Sequence, residues 1–200
     1  MSYSDITLEI IRSRFGIALA ERPLFPNPGK VAPPAWLQAT LARGNGMALF
    51  SEKARNEFIV TPVLLACREL AHDSFYIFSG VRFDVDAERG LKGECDFLLG
   101  HTPPTPLVTA PIVVIVEAKK QDLEEGWGQC AAQMLAARIF NEREKQPVQP
   151  LYGCVTTGEA WHFMELSGNT LVVDSRRFFI TEVETILWIV TQICNPAPAQ

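Results

Sequence analysis

Apolar positions in the first third of the chain recur at helical spacing. They predict a helix over residues 5–20, with one apolar stripe facing the core. Five prolines between residues 23 and 34 then exclude regular helix or central strand. A short helix is expected over 34–43, and a longer one over 51–71 after a glycine-rich break. Ser51 is the expected N-cap of the longer helix.

Three strands are predicted next, over residues 75–86, 93–99 and 112–119. The third consists of valine and isoleucine until its last residues, which is typical of a central strand covered on both faces. The loop over 100–111 holds four prolines and is expected to be irregular.

The second half of the chain begins with a helix predicted over 126–145 from its alanine, glutamine and leucine content. Strands are expected over 151–157, 160–166 and 171–174, the last two joined by a hairpin turn. A final helix starts near Thr181, where Thr181 and Glu184 have the spacing of a capping box. It is apolar on more than one face, so it is either buried or part of a dimer contact.

This element order favours an α/β fold with a mixed central sheet and helices on both faces. We expect residues 1–46 to form a helical, proline-rich N-terminal extension and residues 47–200 to form the α/β domain, as one compact unit.

Composition excludes some classes of protein. At 200 residues, 48% hydrophobic and 20% charged, the chain suits a globular domain rather than a disordered one. No apolar stretch is long enough for a membrane helix. The N-terminus lacks the features of a secretory signal, so the expected location is the cytoplasm. The five cysteines have no C-x-x-C spacing and are expected to be free and buried, and the histidines lack metal-ligand spacing.

Candidate chemistry lies at the end of the predicted central strand. Side chains alternate along a strand, so Glu117 and Lys119 share one face and lie ~7 Å apart at Cα. Asp96 lies in the preceding strand, and a suitable register would bring the two carboxylates together. Mg²⁺ favours a few carboxylate oxygens together with water and substrate phosphate. The pattern therefore predicts a divalent-cation site with an amine beside it.

Asp96 and the segment Glu117-Ala118-Lys119 together resemble the short signature of the PD-(D/E)XK nuclease superfamily, which has the restriction-endonuclease-like fold. Glu57 matches an acidic residue that members often carry in the helix before the strands. Gln129, with Gln133 one turn on, matches a polar position in the helix that follows. The segment 153–161 is similar to a strand pair in the nuclease domains of type I restriction enzymes. Cys95 stands where the signature has proline.

The resemblance implies hydrolysis of DNA phosphodiester bonds with Mg²⁺ or Mn²⁺. Asp96 and Glu117 would hold the metal, with Glu57 as an auxiliary ligand. Lys119 would position the attacking water, and Gln129 would support the site or contact a phosphate. Expected partners are DNA, a second copy of the chain, or a larger restriction, repair or mobile-element complex, and no membrane.

Other interpretations remain open. Glu117 and Lys119 could form an exposed pair at a strand end, and Glu52 or Glu69 could replace Glu57 as the helix acid. The net charge of −5 opposes unaided DNA binding, because phosphate neutralisation usually supplies much of the affinity. The alternative function is a catalytically silent nuclease fold that serves as a nucleic-acid-binding or protein-docking subunit. A metal-free hydrolase acting on another substrate is a third.

Overall fold

The computed structural model describes residues 1–44, 49–103, 105–119 and 122–195. Its centre is a mixed sheet of seven strands in the order β1-β7-β6-β5-β4-β3-β2. Two neighbouring pairs are parallel, β4 with β5 and β1 with β7, and the others are antiparallel. The strands are β1 (Ala18–Arg22), β2 (Tyr76–Arg82), β3 (Glu94–Gly100), β4 (Ile112–Ala118), β5 (Leu151–Thr156), β6 (Ala160–Ser167) and β7 (Thr170–Phe179).

Helices cover both faces of this sheet, which confirms the predicted α/β class. The helices are α1 (Leu8–Phe15), α2 (Ala35–Gly44), α3 (Glu52–Arg55), α4 (Thr61–Leu70), α5 (Glu124–Arg143) and α6 (Val183–Cys194). α1 and α5 pack together in the core on one face. On the other face, α4 packs against α2 and α6. β4 is buried along its whole length, as expected for a central strand.

The prediction of one helix over residues 5–20 was wrong. α1 begins after Thr7, whose hydroxyl accepts a hydrogen bond from Ile10 N at 3.3 Å, and ends at Gly16 with φ 67°. Glycine adopts this left-handed conformation without steric cost and so ends the helix. The chain then turns into β1, which pairs in parallel with β7 at the sheet edge. All five residues of β1 are exposed, so no alternation of apolar and polar residues indicated a strand.

Residues 51–71 are helical almost throughout, but the helix is not uniform. Ser51 is the N-cap, as predicted, and accepts a hydrogen bond from Ala54 N at 3.1 Å. A π-helical turn over Asn56–Val60 joins α3 to α4. Pro62 lies in the first turn of α4, where the proline ring is tolerated. The wider π turn therefore restarts the helix without a break in the chain direction.

α6 begins differently from its prediction. The carboxylate of Glu182 reaches back to the backbone N–H of Phe179 at 3.3 Å, after a short 3-10 turn, whereas Thr181 and Glu184 were expected to pair. Its apolar residues are buried against the rest of the chain, among them Ile186, Leu187 and Ile189, each with no exposed surface. Burial inside the chain thus accounts for the apolar character of α6 without a dimer contact.

The expected alternation along β4 fails at one residue. Val113 lies with Val114 in the core beneath α4 and α6, whereas it was expected to share a face with Ile115. The register between β3 and β4 shifts there, since Leu99 pairs with Val114 but Gly100 pairs with Ile112. This bulge precedes Ile115, so it leaves the alternation intact at the functional end of the strand.

All five cysteines are free and buried, as predicted. Among the described residues, no helix is both long enough and apolar enough to cross a bilayer.

Candidate active site

β3 and β4 bring Asp96 and Glu117 together. Phe97 pairs with Val116, so the next positions outward along the antiparallel pair are Asp96 and Glu117, on the same face. Asp96 Oδ2 accepts a hydrogen bond from Ala118 N at 2.8 Å, which ties its carboxylate to the end of β4. The carboxyl groups of Asp96 and Glu117 are within hydrogen-bonding reach of each other. The register on which the sequence-based site depends is therefore present.

Lys119 lies immediately after β4, and its ammonium group is held between two side chains. Nζ donates to Glu117 Oε1 and to Gln129 Oε1, both at 2.9 Å. Its backbone N–H donates to Thr156 O at 2.8 Å, which continues the pairing of β4 with β5. Both members of the ion pair are largely buried, with side-chain exposures of 17% for Lys119 and 3% for Glu117. An exposed pair at a strand end is thereby excluded.

α5 supplies two glutamines to this cluster. Gln133 is fully buried, and its Nε2 donates to Glu117 Oε2 at 2.9 Å. Gln129, one turn earlier, accepts from Lys119. Both predicted glutamines therefore contact the site, and each carboxylate oxygen of Glu117 has one donor. Gln133 Oε1 has no hydrogen-bond partner among the described residues, so this buried amide retains one free acceptor.

The two carboxylates hold their protons more tightly than free ones do. Burial, and next the charge of Asp96, raise the pKa of Glu117 to about 7, against the opposing effect of Lys119 and Gln133. Burial also raises the pKa of Asp96, although the Ala118 N–H and Lys119 favour its charged form. For Lys119, burial would lower the pKa, but the attraction of Glu117 outweighs it and the pKa is raised. One ammonium group thus only partly offsets two buried acids.

The acid on the preceding helix is placed less closely. Glu57 lines the same cavity as Asp96, of about 450 Å³, but its side chain is 54% exposed and pairs with Lys53 at 3.9 Å. Glu52 lines this cavity as well, and its charge acts on both Asp96 and Lys119. Glu57 remains a predicted auxiliary ligand. Glu52 is the helix acid whose charge is felt at the centre of the site.

The donor set can be compared with the needs of a divalent cation. Among the described residues, no group of three or more histidine, cysteine, aspartate or glutamate side chains is arranged to hold a metal ion. Asp96 and Glu117 form a pair, and Mg²⁺ is commonly bound through one or two carboxylates with water and phosphate oxygens completing its shell. The excess negative charge of the buried pair also suits a cation. The residues present therefore fit Mg²⁺ or Mn²⁺ as a substrate-completed site, and not as a closed protein cage.

Sequence reasoning missed how far polar side chains continue across the sheet. The pairing registers place Glu117 beside Val155, Val155 beside His162, and His162 beside Arg177. Directly paired residues share a face, so these side chains form a row beneath the N-terminal half of α5. We call Glu117, His162 and Arg177 the polar row. Only the strand registers could have revealed it, because its members lie on three separate strands.

Comparisons of the chain with protein families, with curated proteins and with solved structures found no match.

Proposed function

We propose that the protein is a metal-dependent nuclease of the PD-(D/E)XK type that hydrolyses phosphodiester bonds in DNA. One observation carries the proposal. Asp96 and the Glu117-x-Lys119 motif come from separate strands, yet they meet in one cluster in which Lys119 Nζ lies 2.9 Å from Glu117 Oε1. The α/β sheet with helices on both faces is compatible with the restriction-endonuclease-like core that this assignment requires.

In this proposal each side chain has a distinct task. Asp96 and Glu117 would hold Mg²⁺ or Mn²⁺, with Glu57 or Glu52 assisting from the helix side. The metal would polarise the scissile phosphate and lower the pKa of a bound water. Lys119 would orient the attacking water and offset negative charge that develops on the phosphate.

The two glutamines would hold the reacting groups in position. Gln129 shares the ammonium group of Lys119 with Glu117, and therefore fixes where that charge points. Gln133 holds the other oxygen of Glu117 and limits rotation of its carboxylate. Since both come from α5, the position of that helix sets the geometry of the site.

The proposal is tested by incubating the full chain with supercoiled plasmid and with circular single-stranded DNA, in Mg²⁺ or Mn²⁺. We expect Asp96→Asn and Lys119→Ala to lower cleavage at least about 100-fold, since each removes a group acting directly on the reaction. Lys30→Ala is the matched control, because Lys30 is 72% exposed and pairs with Glu184 of α6. Circular dichroism verifies the fold of each variant. Equal cutting by all four proteins would assign the activity to a contaminant and end the proposal.

A second candidate is a catalytically silent nuclease fold that acts as a nucleic-acid-binding or docking subunit. The observations that favour it are the net charge of −5 and the ion pair of Glu57 with Lys53, which turns an expected ligand toward solvent. Titration calorimetry with Mn²⁺ separates the two candidates. Uptake of Mn²⁺ that Asp96→Asn abolishes supports the nuclease, whereas DNA binding without metal uptake or cleavage supports the silent subunit.

A further inference from the structure

A second cavity lies at the far end of the polar row. It has a volume of about 500 Å³ and opens between β1, β7 and the first turns of α5. His162 and Arg177 of the polar row line it, together with Trp127, Asp174 and Ala20. Neighbouring strands are ~4.8 Å apart, so the backbone of His162 is about 10 Å from that of Glu117. The cavity is therefore adjacent to the candidate active site on the same face of the sheet.

The inner wall of this cavity is fixed by hydrogen bonds. Trp127 Nε1 donates to His162 Nδ1 at 3.2 Å, so the proton of the imidazole is on Nε2, which donates to Asp174 O at 2.6 Å. Burial lowers the pKa of His162, in agreement with this neutral form. The indole ring of Trp127 is thus held in one orientation at the cavity wall, as a stacking surface requires.

Asp174 adds an unusual acceptor to the wall. The residue is only 2% exposed, and Oδ1 accepts from Arg176 N at 3.0 Å, whereas Oδ2 has no hydrogen-bond partner in the described part of the chain. Such a buried, unpaired oxygen is costly in a folded protein. Its presence beside a cavity indicates a site prepared for a ligand that carries N–H donors.

The charges of the lining select among ligands. Glu21, Glu124 and Asp174 give the cavity three acids against the one guanidinium of Arg177, which pairs with Glu124 at 2.9 Å. Three acids repel a phosphate group, so the cavity is unsuited to a nucleic-acid backbone. A flat, uncharged heterocycle with N–H donors matches both the indole and the acceptors, and a nucleobase has these properties.

We propose that this cavity receives an unpaired nucleobase of the nucleic-acid strand whose phosphate lies at Asp96 and Glu117, with Trp127 as its stacking surface. This inference rests on the proposed function, because it assigns the strand that the cavity reads to the substrate of that site. It makes single-stranded DNA, or a duplex with an unpaired base, the preferred substrate.

The test measures binding of a fluorescein-labelled single-stranded oligonucleotide to the full chain by polarisation, with Ca²⁺ in place of Mg²⁺ and the probe verified to remain intact. We expect an abasic backbone of equal length to bind about five-fold to a hundred-fold more weakly, since its phosphates are unchanged and only base stacking is lost. Trp127→Leu should weaken binding of the normal oligonucleotide by the same factor and leave the abasic one unaffected. Trp127→Phe should retain most of the affinity.

A second variant leaves the hydrogen-bonded wall intact. Ala20→Phe places a large side chain at the cavity mouth on the exposed strand β1, and it should reduce base-dependent binding as strongly as Trp127→Leu does. Trp36→Leu, an exposed tryptophan of α2, is the control and should bind like the wild type. Equal affinity of the wild type for normal and abasic oligonucleotides would overturn the proposal. So would capture of a lysine-rich peptide that Trp127→Leu abolishes, since the cavity would then bind a basic side chain.

The failure of this inference and the failure of the nuclease assignment give different results. Cleavage that depends on Lys119, together with affinity that is independent of bases, refutes only the base pocket. Base-dependent binding through Trp127 without any cleavage supports the base pocket and refutes the nuclease.

Discussion

Glu117 is almost fully buried, with Asp96 and Lys119 as its charged neighbours. Its pKa of about 7 lies above the value of an unfolded glutamate, so the folded state binds more protons than the unfolded state between about pH 4.5 and 7. Stability therefore falls as pH rises through this window and levels off above it. Each tenfold difference in proton affinity between the two states corresponds to about 1.4 kcal/mol, so we expect a loss of a few kcal/mol, measured by urea unfolding in EDTA at pH 5 and pH 8.

Glu117→Gln is the matched variant for this prediction. A glutamine at 117 can accept from Lys119 with its oxygen and donate to the free Oε1 of Gln133, if the amide of Gln133 turns over. We expect the variant to remain folded, to show a flatter pH profile, and to be more stable than wild type at pH 8. Mg²⁺ should stabilise only the wild type at that pH. A wild type that gains stability between pH 5 and 8 would contradict the assigned burial of this charge.

At this same scale, the sequence predicted part of the site for a clear reason. Asp96, Glu117 and Lys119 follow from the alternation of side chains along strands, which the structure obeys at this edge. The choice between Glu52 and Glu57 could not be made in that way. A helix turns about 100° per residue, and the π turn over Asn56–Val60 changes the rotation between these two acids. Which of them faces the sheet is therefore decided by packing.

At the scale of elements, the start of α5 is held against the sheet by the absence of a side chain at Gly126. A Cβ atom there would lie 2.5 Å from Val155 Cγ1 and 3.1 Å from Lys119 Cγ. We expect Gly126→Ala to move α5 away from the sheet, to lower the unfolding free energy by about 1–3 kcal/mol, and to reduce cleavage because the contact between Gln129 and Lys119 is stretched. Urea unfolding and the plasmid assay measure the two effects.

Gly44→Ala is the control for this helix substitution. A Cβ atom at Gly44 would meet Phe58 O at 3.5 Å, an ordinary contact, and the residue lies in α2 away from the candidate site. Alanine should be neutral or slightly stabilising there, because it restricts the unfolded chain. If both alanine variants cleave DNA like the wild type, the close approach of α5 is not needed for the position of Lys119.

Elements with a strong repeating pattern were predictable, and those defined by a partner were not. α5 and β4 lie within a few residues of their predicted bounds, since composition and burial act along their whole length. β1 was taken as the end of a helix, because its five exposed residues obtain their conformation from pairing with β7. β7 runs to Phe179, well past its predicted end, for the same reason: β6 pairs with it as far as that residue.

At the scale of the whole molecule, the first residues of the chain belong to the same core as the candidate site. Ile6, Ile11 and Ile17 are each at most 3% exposed and pack in the core that contains α5, and Tyr3 donates from its hydroxyl to Phe83 O at 2.6 Å. Burial of one isoleucine stabilises a protein by about 1.5–3 kcal/mol, so the three together contribute about 5–9 kcal/mol. That is comparable with the entire stability of a typical domain, about 5–15 kcal/mol.

Residues 23–200 alone are therefore expected not to fold stably, even though residues 1–46 were predicted from the sequence to be an extension of the α/β domain. Without β1, the edge of β7 is also unpaired and open to aggregation. Limited proteolysis and circular dichroism of the truncated chain measure this. Tyr3→Phe is the control, because it removes one hydrogen bond and should cost only about 1 kcal/mol while the fold is retained. A truncated chain with a cooperative urea transition equal to that of the full chain would show that the N-terminal residues are a separable addition, and that α5 keeps its place over Glu117 without them.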